Sequence, residues 1–399
     1  MVLPSAQGAD PIQTDADPAP LFGRCPAGGE EAMTKVLHIN AGLENGGGLT
    51  HIVALLSNWD HHDVSLLVFA EGPVAAAARA AGVDTHVLHF NSRYNLGILK
   101  ALADFINAGQ YDIVHAHGAR AVLFLRLIRR RIHCLKVATV HSDPTLDFMG
   151  RGLIGEAFTK LYISSLRLMD HLYPVSTPFY DRLRAFNIPA DKLTLILNGI
   201  TFSPQAPVKE PHQTFNMIYV ARLHPVKDHA LLLNALAQAK LPQARLLLVG
   251  DGPEKAKLQQ QVADLKLTAT VTFTGFQTPT QIQTLYPRMD LALLTSISES
   301  FPLVLLEAAN AAVPVLSSRV GDVTKLVAHP DLGFLFQSGD QADLVRQLRA
   351  AYHDWELGTL AAKGDALRTY AAAHFSLQQL QDTIWDSYAV LLRKELNHG

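Results

Sequence analysis

The sequence predicts an α/β protein of two doubly wound domains, each built on a parallel sheet with helices on its faces. Short apolar, β-rich runs alternate with helical segments from Lys35 onward, as they do where helices connect parallel strands. The alternation stops at a proline-containing segment and then starts again. The 399 residues also exceed the usual size of one domain. The pattern therefore indicates two domains of similar architecture.

The first series contains six runs with the composition of strands. They are VLHI (36–39), VSLLVF (64–69), THVLHF (85–90), DIVHAH (112–117), KVATVH (136–141) and HLYPVS (171–176). Helical segments such as LTHIVALLSNW and PVAAAARAAG lie between them. We assign residues 34–203 to this N-terminal domain.

The second series begins after a linker, LILNGITFSPQAPVKEPHQ, in which Asn198-Gly199 and prolines interrupt regular structure. Its strand-like runs are FNMIYVARL (215–223), ARLLLVG (244–250), TVTFTG (270–275), LALLTS (291–296) and PVLSS (314–318). We assign residues 204–375 to this C-terminal domain.

Residues 1–33 differ from the rest of the chain. They are rich in Pro, Ala, Gly and Asp and have no apolar periodicity, so we expect a disordered tail and hypothesise that Met33 is the native start. The Asp15-Ala16-Asp17 triplet imitates an Asp-x-Asp metal motif. Because it follows no strand, we do not expect it to bind a metal.

The overall composition narrows the class of protein. A hydrophobic fraction of 48% with 18% charged residues fits a globular enzyme with a large core. A net charge of −2 gives no global field for nucleic acid. Cys25 and Cys134 are too few for a disulfide framework, so a cytoplasmic protein is expected. The sequence shows neither a membrane span nor a secretion signal.

Glu299 and Glu307 are the most informative residues, because they lie around a predicted anion site. An apolar run (291–294) predicts a strand, 295–300 a loop, and Pro302 the start of a helix. The N–H groups near Ser300, Phe301 and Leu303 would then bind a phosphate. Two carboxylates cannot both be ligands of a phosphate, because like charges repel. We therefore expect them to accept hydrogen bonds from hydroxyl groups on either side of it. A sugar nucleotide has this layout; taken alone, Glu307 also fits an exposed helix residue.

Two cations lie at the end of the second domain's first strand. Arg222 and Lys227 flank the loop before a helix that begins near Asp228. A sugar diphosphate gains negative charge as its bond to the sugar breaks, and fixed cations stabilise that transition state. We therefore expect these side chains to replace a metal ion. The alternative is a pair of solvated surface bases.

Three further features follow strands of the first domain. Gly46, Gly47 and Gly48 precede a helix at Leu49, where glycines allow close approach of a ligand or form a simple turn. His117 and His141 close two successive strands, and we expect them to face the cleft as site residues. A structural role is the alternative for each histidine.

Short motifs occur in a characteristic order along the chain: GGGLTH, DIVHAH, TVHS, NGI, VARLHPVK, LLLVGDGPE, VTFTGF, SESFPLVLLEA, VPVLSS, VGDVTKLV and GFLF. In this order they resemble the motifs of glycosyltransferase family 4. That family comprises retaining enzymes of GT-B fold, and the resemblance covers about residues 35–392. It implies two Rossmann-like domains facing a cleft, the first binding the acceptor and the second the nucleotide sugar. It also implies that the last helix, residues 376–397 with Ser376 as its cap, crosses back to the first domain.

The resemblance also implies roles for individual residues. Glu299 would contact the donor sugar, Glu307 the ribose hydroxyls, and Arg222 with Lys227 the diphosphate. By the same comparison Gly48 would lie near the phosphate, His141 near the donor sugar, and the backbone of Phe276 near the base. The chain departs from the family pattern at Pro302, which removes one N–H donor, at Ala311-Ala312 and at Gly321-Asp322.

The expected function is a retaining, metal-independent glycosyltransferase that uses a UDP- or GDP-sugar and no cofactor. Its acceptor would be a saccharide or a lipid-linked molecule, in glycan, exopolysaccharide or glycolipid synthesis. A nucleotide-sugar epimerase or hydrolase of the same architecture is the alternative, and a noncatalytic nucleotide-sugar binding subunit is a third.

Residues 119–136 combine five arginines with apolar residues, which fits either a helix on an anionic membrane or a crossover helix with a solvated basic end.

Overall fold

The structure is a computed structural model that describes residues 34–43, 47–57, 59, 63–90, 95–145, 147 and 152–396. The predictions of a disordered tail at 1–33, of Met33 as the start and of an inert Asp15–Asp17 pair lie outside the described residues. Gly46 also lies outside them.

Two parallel sheets organise the described residues, as predicted, and each has six strands. The first has the order β3-β2-β1-β4-β5-β6. Its strands are β1 (Lys35–Asn40), β2 (Asp63–Val68), β3 (Thr85–Val87), β4 (Ile113–His117), β5 (Leu135–Val140) and β6 (His171–Pro174). The order reverses between β1 and β4, which pair directly, and so creates a crevice at their carboxyl ends.

The second sheet repeats this topology with the order β12-β11-β10-β7-β8-β9. Its strands are β7 (Phe215–Val220), β8 (Ala244–Val249), β9 (Val271–Gly275), β10 (Leu291–Leu294), β11 (Val315–Ser318) and β12 (Gly333–Phe336). Strand β12 is not among the predicted strands; its residues, GFLF, were identified only as one of the family motifs. The corresponding crevice lies between β7 and β10.

Helices follow most strands and bury their apolar faces on the sheets. In the first lobe they are α1 (Gly47–Leu56), α2 (Pro73–Ala80), α3 (Gly97–Gly109), α4 (Ala119–Ile128), α5 (Gly152–Leu166) and α6 (Thr177–Ala185). In the second they are α7 (His229–Ala239), α8 (Lys255–Asp264), α9 (Pro279–Leu285), α10 (Leu303–Asn310), α11 (Val323–Leu326), α12 (Gln341–Glu356) and α13 (Leu360–His374).

The last helix, α14 (Leu377–Leu396), returns to the first lobe. Ile384 and Tyr388 are buried in a core that contains Val36 and Ile52 of that lobe, and the Gln381 side chain donates to Leu55 O at 2.8 Å. Ser376 caps the helix by accepting from Gln379 N at 3.2 Å. A Cβ on Gly199 would lie 2.7 Å from Ser376 O, so only glycine lets the linker pass this crossing. The domain boundaries at 203/204 and 375/376 remain predictions.

Candidate active site

Lys227 and Glu299 meet where the strand order of the second sheet reverses. Lys227 follows β7 and Glu299 follows β10, and these strands are neighbours. Lys227 Nζ lies 2.5 Å from Glu299 Oε1, which also accepts from Ser296 Oγ at 2.6 Å. Both charged side chains are largely but not fully covered, with 24% and 13% exposure. The structure therefore presents a cation and a carboxylate in fixed relation at the crevice.

The two loops that carry this pair are bonded to each other. Ile297 N donates to Val226 O at 2.8 Å, and the Tyr219 hydroxyl donates to Lys227 O at 2.6 Å. Thr295 Oγ1 donates to the same carbonyl at 3.0 Å. Since Tyr219 and Thr295 are fully buried, the Lys227 backbone is anchored to the core. Such anchoring keeps the charged groups in place before a ligand arrives.

Arg222 and Phe276 follow two strands of the second sheet, β7 and β9, which are separated by β8. Arg222 follows β7, is exposed, and forms no ion pair with any residue that the structure describes. Phe276 follows β9, and its side chain is 76% exposed. A cation without a counter-ion and an exposed aromatic residue are suited to a ligand with phosphate and a base.

Helix α10 begins one residue later than predicted. Pro302 is its cap rather than a residue of its first turn, so Leu303 and Val304 supply the first helical N–H groups. Ser300 O accepts from Asp322 N at 2.9 Å, whereas the Phe301 ring is buried in the core of the second lobe. A Cβ on Gly321, which has φ +52°, would lie 2.2 Å from Ser300 O. Glycine at 321 therefore lets the Glu299–Ser300 loop lie against the next one.

Glu307 lines a cavity of about 150 Å³ between the lobes, together with Leu303 on α10, His51 on α1 and Leu380 on α14. Burial raises the pKa of the Glu307 carboxyl above its ordinary value. Its carboxylate has no hydrogen-bond partner among the residues described here. A partly buried carboxylate without donors is ready to accept bonds from ligand hydroxyls.

Replacing Glu307 by Gln is expected to stabilise the ligand-free protein at pH 7 and to weaken nucleotide binding roughly 10- to 100-fold, the cost of lost hydrogen bonds to a charged group. Because the folded pKa lies above the unfolded one, the ionised carboxylate destabilises the fold at neutral pH. That penalty diminishes as the pH falls towards the ordinary Glu range. Thermal unfolding from pH 7 down to about 4 and calorimetry with UDP and GDP measure both effects.

Glu395→Gln, on the exposed end of α14, is the matched control and is expected to change neither property. A Glu307→Gln protein that binds nucleotide as tightly as the wild type would contradict the assignment of this carboxylate.

Two sets of contacts join the lobes beside this site. The buried Asp322 carboxylate accepts from Thr177 N, the first residue of α6, at 2.6 Å. Lys325 Nζ reaches Thr177 Oγ1 at 2.7 Å and Asp322 Oδ1 at 3.2 Å. Nearer the linker, Asn198 Nδ2 donates to Phe301 O at 2.8 Å. These contacts hold the amino end of α10 opposite the first lobe.

The first lobe's predicted residues have different environments. The prediction that His117 faces the cleft is wrong, because its side chain is fully buried and both ring nitrogens are bonded to other histidines. His141 is only half-buried and follows β5. Gly47 and Gly48 belong to the first turn of α1, which begins two residues before the predicted Leu49. Their position at a helix N-terminus is compatible with anion binding.

His38, His115 and His117 bring nitrogen atoms within 4.8 Å of one another, the only such group of potential metal ligands among the described residues. Their hydrogen bonds argue against a metal site. His115 bonds to Tyr388 and Thr139, and His117 bonds to His38 and His141. Metal independence remains a prediction.

Burial raises the pKa of the Cys134 thiol to about 11, so this cysteine is unreactive.

Sequence reasoning missed several residues of this region, among them Tyr219, Ser296 and His51. Tyr219 belongs to a strand pattern, and Ser296 is one of several loop serines. His51 Nδ1 lies 3.0 Å from Asn198 Oδ1, and the sequence assigns Asn198 only to the linker turn and the NGI motif, without a side-chain partner. At such helix, strand and turn positions the same residue types commonly have only a structural role, so the sequence carries no signal that marks these residues as part of the site.

Two facing Rossmann-like lobes, a crossing terminal helix and this cleft are the GT-B architecture, and the family matches identify it here as that of a glycosyltransferase. The family "Glycosyltransferase Family 4" matches residues 45–203, and "Glycosyl transferases group 1" matches residues 204–364. The chain belongs to the group 1 glycosyltransferases of family 4.

Curated relatives agree with this assignment. The chain is 27% identical over 316 residues to N-acetyl-alpha-D-glucosaminyl L-malate synthase of Bacillus anthracis, covering 76% of this chain and 81% of that one. It is 28% identical over 279 residues to D-inositol 3-phosphate glycosyltransferase of Mycolicibacterium smegmatis, covering 64% and 63%. The epimerase or hydrolase alternative gains no support from these matches.

Solved structures show the same fold. Anabaena HepE in complex with UDP has a TM-score of 0.74 and 20% identity, covering 90% of this chain and 100% of that one. A glycosyltransferase from Rickettsia africae has a TM-score of 0.78 and 19% identity, covering 90% and 99%.

Proposed function

We propose that this glycosyltransferase moves a sugar from a UDP- or GDP-sugar to a hydroxyl of a saccharide or lipid-linked acceptor, with retention and without a metal ion. The observation that carries the proposal is the Lys227–Glu299 pair at the β7/β10 crevice, beside the exposed Arg222 and the amino end of α10. HepE, which shares the fold, has been solved with UDP and with UDP-glucose. Glycan, exopolysaccharide or glycolipid synthesis would use such a reaction.

In this mechanism the donor lies with its diphosphate between the two cations and the first N–H groups of α10. As the bond between the anomeric carbon and the phosphate oxygen breaks, negative charge grows on that oxygen. Arg222 and Lys227 stabilise this charge more than the ground state. Glu299 accepts hydrogen bonds from sugar hydroxyls, and Glu307 from the ribose. The acceptor hydroxyl attacks the face that the diphosphate leaves and gives its proton to the departing phosphate oxygen. The anomeric configuration is therefore retained, and neither glutamate forms a covalent intermediate.

A panel of UDP- and GDP-sugars tested by thermal shift, followed by product analysis with simple saccharide acceptors, tests the proposal. We expect one donor to raise the unfolding temperature and its sugar to be transferred with the same anomeric configuration, read by proton NMR. Activity should survive chelators. A product of inverted configuration would contradict the proposal, as would a loss of turnover with chelator that added metal restores. Fast consumption of the donor without an acceptor would favour the epimerase or hydrolase.

We further infer peripheral contact with the cytoplasmic face of an anionic membrane. Helix α4 itself is a crossover helix, because Val122, Leu125 and Ile128 are buried in the core. Its exposed face carries Leu127, and the other exposed apolar side chains of this region lie on α5 or just after it. Together they are Leu127, Ile154, Phe158, Leu161 and Leu168, exposed by 38–68%. Basic residues on the same two helices and their ends are Arg126, Arg129, Arg130, Arg131, Lys160 and Arg167. Apolar residues rimmed by cations fit an anionic interface. No described helix is both long and apolar enough to cross a bilayer.

Replacing Ile154 and Phe158 together by Ser is expected to weaken binding to phosphatidylglycerol vesicles at least about tenfold, since each inserted side chain contributes about 1.5–3 kcal/mol. Co-sedimentation measures this, and high salt should weaken the wild type as well. Leu357→Ser, at an exposed apolar residue of the second lobe, is the control. Equal sedimentation of the double variant and the wild type would reject the surface.

A further inference from the structure

Three histidines form a continuous hydrogen-bonded chain that ends at the cleft. His38 Nδ1 lies 2.8 Å from His117 Nε2, and His117 Nδ1 lies 3.0 Å from His141 Nε2. The residues belong to β1, β4 and the end of β5, which are adjacent strands. His38 and His117 are fully buried, whereas His141 is half-buried. The chain therefore connects the interior of the first lobe with a predicted site residue.

All three imidazoles are neutral at pH 7, and each carries one proton. Burial lowers the pKa of His38 to about 3 and holds the pKa values of His117 and His141 well below their usual range. Each bond of the chain needs one N–H and one lone pair. Only two arrangements satisfy both bonds. Either every ring donates towards His141, or every ring donates towards His38.

The inner end of the chain discriminates between these arrangements. His38 Nε2 is buried and has no hydrogen-bond partner among the described residues. If the chain donated inwards, this atom would carry a buried N–H without an acceptor among the described residues; the tilted Trp59 ring, at 5.8 Å between centroids, would offer at most a weak aromatic contact. If the chain donates outwards, it carries a lone pair. Unsatisfied buried N–H groups are rarer than unsatisfied acceptors, and N–H contacts to aromatic faces are weak, so the outward direction is favoured.

The neighbouring His51 is held in the same form. Its Nδ1 bonds to Asn198 Oδ1, an atom that only accepts, while Asn198 Nδ2 is committed to Phe301 O. His51 therefore carries its proton on Nδ1 and leaves a lone pair on Nε2, which is buried without a partner in the described part of the chain. Its ring packs edge-on against His141, with 4.9 Å between centroids. A buried imidazole lone pair without a donor is thus a recurring feature of this cluster.

We propose that His38 and His117 are positioning residues that hold His141 in the tautomer with its proton on Nδ1. This inference rests on the proposed function, because His141 packs against His51, which lines the same cavity as the Glu307 carboxylate assigned there to the ribose. No described residue bonds to His141 Nδ1, so this N–H is available to an oxygen of the substrate. His141 then acts as a fixed hydrogen-bond donor and not as a general base through this nitrogen.

Nitrogen-15 NMR of histidine-labelled, ligand-free protein tests the proposal directly. Long-range proton–nitrogen spectra distinguish the two neutral tautomers, and the spectrum of His141→Asn identifies the signals of His141. We expect a protonated Nδ1 and an unprotonated Nε2 from pH 6 to 8. A protonated Nε2 would overturn the inference. Since the measurement needs no turnover, it is independent of whether the proposed transferase reaction is correct.

Two variants at His117 test the coupling to catalysis. Asn at 117 retains an amide N–H that can donate to His141 Nε2, whereas Leu retains a similar volume without any donor. We expect His117→Leu to let the other His141 tautomer appear and to lower kcat up to about tenfold, as for one lost neutral hydrogen bond, with a smaller change in KM. His117→Asn should keep the wild-type tautomer and more of the turnover. A wild-type His141 spectrum in His117→Leu would reject the role of the chain.

Discussion

Replacing Glu299 by Gln is expected to lower kcat by about 10²–10³-fold while nucleotide affinity falls much less, a loss typical of removing one preorganised polar group at the reacting centre. Glutamine keeps the shape of the side chain but removes the charge that now lies 2.5 Å from Lys227 Nζ. It also replaces an oxygen that accepts from sugar hydroxyls by an amide that donates. Steady-state kinetics with the identified donor, together with calorimetry with UDP or GDP, measures the two effects.

The matched control is Glu356→Gln on the exposed surface of α12, which should leave turnover unchanged. Circular dichroism and thermal unfolding must show that both variants fold. Wild-type turnover in a folded Glu299→Gln protein would remove this carboxylate from the mechanism and leave the Lys227 contact as a purely structural ion pair.

Lys227→Ala is expected to have the second large effect, weakening the binding of UDP or GDP roughly 10- to 100-fold, since hydrogen bonds to charged groups contribute about 1.5–3 kcal/mol. The Lys227 backbone is held by the Tyr219 hydroxyl and by Thr295, so truncating its side chain should leave the loop in place. The loss should be greater for diphosphates than for the nucleoside, because the missing cation faces the phosphates. Calorimetry with uridine or guanosine and the matching diphosphate separates these contributions.

Lys257→Ala is the appropriate control, because Lys257 is 69% exposed on α8 and, among the described residues, pairs only with Glu254 three residues earlier. Arg222→Ala should resemble Lys227→Ala if both cations share the diphosphate. If Lys227→Ala bound diphosphate within twofold of the wild type, the cations would not replace a metal ion, and a divalent-ion requirement would have to be sought.

The positions of residues at strand ends predicted the site residues of the second lobe better than those of the first. Lys227 and Glu299 were predicted near one cleft from the rule that carboxyl ends of parallel strands share an edge, and the structure places them in contact. The same rule misjudged His117. It is the last residue inside β4 and points into the lobe on the same side as His115, whereas His141 lies one residue beyond β5. A shift of one residue at a strand end thus separates a buried side chain from an accessible one.

The amino-acid sequence by itself determined the two-lobed α/β architecture, because apolar periodicity and turn residues act over a few neighbouring positions. It also indicated which charged residues stand at strand ends. Only the tertiary structure decided the partners, since the pairs Lys227–Glu299, Asn198–Phe301 and His51–Asn198 are separated by 72, 103 and 147 positions. The local pattern of apolar and turn residues does not indicate contacts between such distant positions. They arise when the sheets, the linker and the returning helix bring remote segments within hydrogen-bond distance.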